Sequence, residues 1–197
     1  MSWQTKSNYL KLYIGPMYAS KTTSLICEIN RYKYLTDKIL VINSILDKER
    51  RGQNLNSIKS HDKESFPAIM LNNLFELESN YDFRNKFNNA DIVLIDEAQF
   101  YNDLYDFMGK NLNNVYQKKL FIVSGLSSDS NMEPIGDVIK LVPLADEIIK
   151  LSAYCIVCKN GTPASFTKRS KNIDNKSQIL VGLNDIYSPV CRMHYLI

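Results

Sequence analysis

Short apolar runs recur along this chain, separated by polar or helical-period stretches. Residues 10–14 (LKLYI), 38–43 (KILVIN), 90–96 (ADIVLID) and 119–124 (KLFIVS) are each too short for a helix and rich in Ile, Leu and Val. Such runs predict strands buried inside a parallel sheet, and residues 68–71 predict a further short one. Between them, residues 22–34 place Leu25, Ile26, Ile29 and Tyr32 or Lys33 at helical spacing, which predicts a helix. Residues 74–87, with polar interruptions, and 102–116 are read as two more helices. Strands alternating with helices imply an α/β fold, a doubly wound and mostly parallel sheet. Residues 46–65, LDKERRGQNLNSIKSHDKES, have no clear period and read as a long loop of the kind that is usually functional or mobile. After residue 151 the texture changes, with two Cys-x-x-[Cys/His] pairs bracketing a polar middle, which predicts a small second module at 152–197 beside a main α/β domain at 1–151.

Composition adds limits. With 197 residues, 45% hydrophobic and 23% charged, the chain can bury one sizeable core and does not read as disordered. No apolar stretch reaches the roughly 20 residues of a membrane span, and no signal-peptide run opens the chain. The expectation is a soluble, cytoplasmic protein without a membrane partner. A formal charge of +3, dispersed along the sequence, argues against nucleic acid as the main partner. Four cysteines in an intracellular chain point to metal or chemistry and away from disulfides. Cys27 falls inside the first predicted helix and is expected in the core. His61 lies in the long polar loop and is expected to be solvated.

Three local patterns carry chemistry. The first strand runs into Gly15-Pro16-Met17-Tyr18-Ala19-Ser20-Lys21-Thr22-Thr23, close to a phosphate-binding loop, in which backbone amides at a helix start face the anion, the lysine neutralises it and the next hydroxyl meets magnesium. Ser20 stands where that pattern asks for glycine, and a side chain there costs about 1 kcal/mol if the backbone takes positive φ. A plain strand-to-helix turn is the alternative. The second pattern is an apolar strand ending in Asp96-Glu97. At the carboxyl edge of a doubly wound sheet, one acid can support magnesium and the other accept a proton from an attacking hydroxyl. Acids at a helix start are the plainer reading. The third is Cys155-x-x-Cys158 with Cys191-x-x-His194, about thirty residues apart, the two-plus-two set of tetrahedral zinc with no open position for catalysis.

Taken in order, "GPMYASKTTSLI", "LIDEAQFY", "IGDVIKLVPLADEIIKLSAYCIVC", "TKR" and "VGLNDIYSPVCRMHY" resemble the zinc-containing, type II thymidine kinases over nearly the whole chain. The resemblance implies ATP-dependent phosphorylation of the 5′-hydroxyl of thymidine, a phosphate-loop α/β domain with a small zinc module, and a homotetramer. It implies that residues Gly15 to Thr23 surround the ATP phosphates, with Lys21 on them, Thr22 on magnesium and Asp96 supporting the metal. Glu97 becomes the general base, and Arg50, with Arg51 as competitor, a catalytic arginine. Phe100, Leu126, Ser130 and Ile135 are implied around the thymine. Gln178, Ile179, Leu180, Val181, Gly182 and Tyr187 match a segment closing over the nucleoside. Cys155, Cys158, Cys191 and His194 are the zinc ligands.

The chain departs from the family pattern at Ser20, at Ser127, Ser130 and Ile135, where Asp, an aromatic and Phe are expected, and at Gly182-Leu183, where two glycines are common. Two competing readings follow. One is a deoxynucleoside kinase with shifted base preference. The other is a non-catalytic nucleotide or nucleic-acid binder, using Lys159, Lys168, Arg169 and Lys171 near the zinc module.

Overall fold

A computed structural model describes residues 7–47, 56–59, 65–169 and 186–197. Six strands form one sheet: β1 (Tyr9–Gly15), β2 (Ile39–Ser44), β5 (Ile69–Leu71), β6 (Ile92–Ile95), β7 (Leu120–Leu126) and β8 (Glu147–Lys150). Their order is β5-β2-β6-β7-β1-β8, and every pairing in this sheet is parallel. Parallel neighbours need crossover connections, so β6, β7 and β1 end side by side at one carboxyl edge. That edge is where doubly wound sheets bind ligands.

The period-two alternation of each strand sorts its residues onto two faces. Leu10, Leu12, Leu40, Ile42, Val93, Ile95, Phe121 and Val123 pack on one face against Tyr101, Leu104, Phe107 and Met108, the last three from the helix Leu104–Leu112. Tyr13, Val41, Ile92, Leu94 and Ile122 meet Leu25, Ile26 and Ile29 on the other, all three from α1 (Lys21–Tyr32). Full burial of Leu25 and Ile29 is worth about 1.5–3 kcal/mol each. Cys27 is exposed, which corrects its expected place in the core: Leu25, Ile26 and Ile29 hold the inward stripe of α1, and position 27 points away from it.

Three stretches differ from their sequence patterns. The polar loop contains a short antiparallel pair, β3 (Ser57–Lys59) with β4 (Ser65–Pro67), anchored by the buried Ile58 against the α1 face. One apolar residue among polar ones leaves no period to read. The expected helix over residues 74–87 is two, Glu76–Ser79 and Tyr81–Asn89, because Asn80 is extended and its side chain accepts from the Asp82 and Phe83 amides. That is the work of an N-cap, which starts a new helix. Strand β8 is an edge strand with alternating exposure and charged ends, Glu147 and Lys150, so it shows no apolar run.

Beyond β8, two antiparallel pairs, β9 (Ala153–Tyr154) with β10 (Pro163–Ala164) and β11 (Phe166–Arg169) with β12 (Tyr187–Val190), precede a last short helix, Arg192–Leu196. Ala153, Cys155, Ala164, Val190 and Cys191 form a third, smaller core there. Among the described residues no helix is long and apolar enough to cross a membrane.

Candidate active site

The loop after β1 wraps over the carboxyl edge and turns into α1. A Cβ on Gly15 would lie 2.7 Å from the Leu151 carbonyl oxygen, so only glycine fits where the loop leaves the sheet. Ser20 lies at φ 59°, ψ 29° and makes no side-chain cap, and Tyr18 also has positive φ. The position that glycine usually fills therefore does adopt the left-handed conformation, with a serine bearing its steric cost. The Lys21 ammonium donates to the Pro16 carbonyl at 2.8 Å, folded back over its own loop. Thr23 follows in the first turn of α1. The amides opening this twelve-residue helix present partial positive charge toward the loop, the arrangement that receives an anion.

Strand β6 delivers the acid pair to the same edge. Asp96 is fully buried, and its carboxylate accepts from the Thr22 hydroxyl at 2.8 Å and from the Ser124 hydroxyl of β7. Burial, then the adjacent Glu97 charge, push the Asp96 carboxyl up to about 6, against the two hydroxyls that favour its anion. Glu97 takes left-handed φ 49°, ψ 42° and is followed by one 3-10 turn, Ala98–Phe100. Its carboxylate is partly exposed and accepts from the Gln99 side-chain amide.

Four of the residues expected around the thymine lie in the 3-10 turn after β6, at the end of β7 and in the loop beyond it. Phe100 and Ile135 are buried, while Leu126 and Ser130 are half-buried. The Leu126 amide donates to Gln99 Oε1 at 3.0 Å, and the Ser127 amide to the Gly15 carbonyl at 3.3 Å. Pocket edge, acid turn and phosphate loop are thus joined. Tyr187 lines a cleft of about 350 Å³ with Tyr18 of the loop, and its hydroxyl accepts from Arg169. Arg50, Arg51, His61, Lys171, Gln178, Ile179, Leu180, Val181, Gly182 and Leu183 lie outside the described residues.

Four residues that the sequence patterns did not single out belong to this site. Ser124 orients Asp96. Gln99 spans from Glu97 to Leu126. Thr167, buried on β11, accepts from the Met17 amide of the phosphate loop at 3.0 Å. Asp129 accepts from the Asn131 and Glu133 amides and shapes the turn carrying Ser130. Only Ser124 had a local signal, a hydroxyl at the polar end of an apolar strand.

The Cys/His set does converge. One ligand atom from each of Cys155, Cys158, Cys191 and His194 lies within 4.8 Å of the others. The Cys158 and Cys191 sulfurs are 3.8 Å apart, and His194 Nδ1 is 3.3–3.6 Å from the three sulfurs. A metal about 2.3 Å from each sulfur sets tetrahedral corners about 3.8 Å apart, so these donors fit one soft ion. Burial would raise the Cys155 thiol, but the amides of Cys158, Cys191 and Val157 together prevail and lower it to about 6, and the thiolate is the ligand form. Tyr195, on the same short helix, donates to the Ser130 carbonyl at 2.8 Å, so the Cys/His cluster is tied to the loop after β7.

A hydroxyl of the phosphate loop bonded to the acid that closes β6, one strand beyond β7, defines a class, the phosphate-loop nucleotide enzymes, here with a Cys/His cluster whose spacing fits a metal. Within that class the match is specific, for the family model described as thymidine kinase covers residues 8–195. The chain is 36% identical to the thymidine kinase of Yaba monkey tumor virus over 97% of this chain and 96% of that protein. It is 36% identical to thymidine kinase a of Arabidopsis thaliana, over 96% of this chain and 76% of the relative. With the thymidine kinase of Mycoplasma genitalium it shares 33% identity over 98% and 86%. This chain belongs to the thymidine kinase family, and it is a nucleotide-binding transferase.

Proposed function

We propose that this chain transfers the γ-phosphoryl group of ATP to the 5′-hydroxyl of thymidine. A new bond forms between the 5′-oxygen and the γ-phosphorus, the bond to the β,γ-bridging oxygen breaks, ADP leaves, and the hydroxyl proton passes to Glu97. The Thr22–Asp96 hydrogen bond carries this reading, because it unites the loop hydroxyl and strand-end acid that a magnesium nucleotide requires, with Glu97 next in the chain. Lys21 and the loop from Gly15 to Thr23 receive the phosphates. Thr22 and Asp96, both oxygen donors, suit magnesium, which supplies charge neutralisation on the phosphates. Arg50 is assigned to phosphoryl charge. Phe100, Leu126, Ser130, Ile135, Gln178 to Gly182 and Tyr187 are assigned to the nucleoside.

Cys155, Cys158, Cys191 and His194 hold a structural zinc in a module spanning 152–197, a reading supported by the donor spacing. The homotetramer and the cytoplasmic location rest on the family resemblance, and light scattering tests the first. The deciding experiment measures phosphate transfer from magnesium ATP to thymidine by the parent and by Glu97→Gln. Turnover by the parent and loss of about 10²–10⁴-fold in the variant supports the reading. A parent inactive on thymidine contradicts it, and equal or better turnover of deoxyuridine, deoxycytidine or a purine deoxynucleoside replaces thymidine as the preferred substrate.

A further inference from the structure

Gln99 is a polar side chain only 2% exposed in a turn full of constraint. Residue 97 is left-handed and a single 3-10 turn follows it, which folds position 99 back toward position 97. The space is tailored to the amide. A Cβ on Gly136, itself at φ +56°, would lie 2.5 Å from the Gln99 carbonyl oxygen, and one on Gly125 would lie 2.7 Å from Val138 and 3.2 Å from Gln99 Oε1. Two glycines thus make room for this residue, one beside its backbone and one beside its side chain.

Both ends of the amide are used. Oε1 accepts from the Leu126 backbone amide at 3.0 Å, and only an oxygen can do so. That fixes the flip and points Nε2 at the Glu97 carboxylate, to which it donates. A glutamate with several rotatable bonds and a partly exposed carboxylate samples many positions unless something holds it, and a general base must sit within hydrogen-bond reach of the proton it takes.

We infer that Gln99 is a positioning residue for phosphoryl transfer: its amide holds the Glu97 carboxylate in place and ties it to Leu126 at the edge of the nucleoside pocket. The inference rests on Glu97 being the base, and the test separates the two. kcat and the KM values for ATP and thymidine are measured, together with melting temperatures, for Glu97→Gln, Gln99→Leu, Gln99→Glu and the double variant Glu97→Gln/Gln99→Leu. Gln99→Leu lowers kcat by about tenfold to a hundredfold and leaves the KM for ATP unchanged. In the Glu97→Gln background the same change costs no further kcat, because the side chain it positions no longer acts as a base. Gln99→Glu keeps an acceptor for the Leu126 amide but loses the donor to Glu97, so kcat falls while the KM for thymidine holds. Parent-like kcat in Gln99→Leu overturns the inference, as does a full multiplicative loss in the double variant, which marks a general structural role. Should Glu97→Gln itself retain kcat, the base assignment fails, and the inference with it, whatever Gln99 does.

Discussion

Ser20 shows how one side chain meets a backbone requirement set by its surroundings. The loop bends into α1 through left-handed φ at this position, and a non-glycine residue there costs about 1 kcal/mol. Its side chain is exposed, so no packing opposes removal. Ser20→Gly therefore raises the unfolding free energy by about 0.5–1 kcal/mol and changes ATP turnover only modestly, as chemical denaturation and steady-state kinetics will measure. The lysine and threonine that follow were legible because the loop pattern is contiguous in sequence. Gln99 and Thr167 were not, since each accepts from a backbone amide brought near only by folding, Leu126 for the one and Met17 for the other.

Among the elements, the two short helices before β6 are held apart by Asn80. Its carboxamide oxygen accepts from two amides of the helix Tyr81–Asn89. Asn80→Ala is expected to cost about 1 kcal/mol in urea denaturation, whereas Asn80→Asp retains most of it. Helix α1 is joined to β1 by charge. Glu28, buried with a side chain 4% exposed, pairs with Lys11 at 2.8 Å and accepts from the Tyr13 hydroxyl at 2.6 Å. Burial alone would raise the Glu28 carboxyl, but Lys11 and Tyr13 prevail and its pKa lies below the ordinary value. A lowered folded-state pKa gives stability that is present above an unfolded value of about 4.3 and is lost as pH falls through the folded one. The Lys11 ammonium is raised, so its share is present below about 10.4 and is lost as pH rises further. Urea midpoints between about pH 3 and pH 7 should decline on the acid side, and Glu28→Gln should flatten that decline.

At the scale of the whole molecule, the segment carrying the Cys/His cluster reaches the carboxyl edge of the sheet through two hydrogen bonds. Thr167 receives the Met17 amide of the phosphate loop, and Tyr195 donates to Ser130 of the pocket loop. Thr167 and Tyr195 belong to the segment that carries the Cys/His cluster, whose own core is only a few residues, so small that a bound metal is expected to stabilise it. Chelation, or Cys158→Ser, is expected to lower the melting temperature and raise the KM for thymidine together. Metal analysis before and after checks the cause, and a fully metal-free protein with parent-like KM rejects the coupling. Apolar runs and short fixed spacings are enough to mark the buried strands, the phosphate loop, the acid pair and the Cys/His pairs that converge on one cluster. The outward turn of Cys27, the break at Asn80 and the edge strand β8 were decided by packing against neighbours distant in sequence. So was the site itself: placing β7 between β6 and β1 brings Thr22, Asp96, Ser124 and Gln99 to one edge, and contacts between residues so far apart along the chain are set by the strand order, which no local pattern specifies.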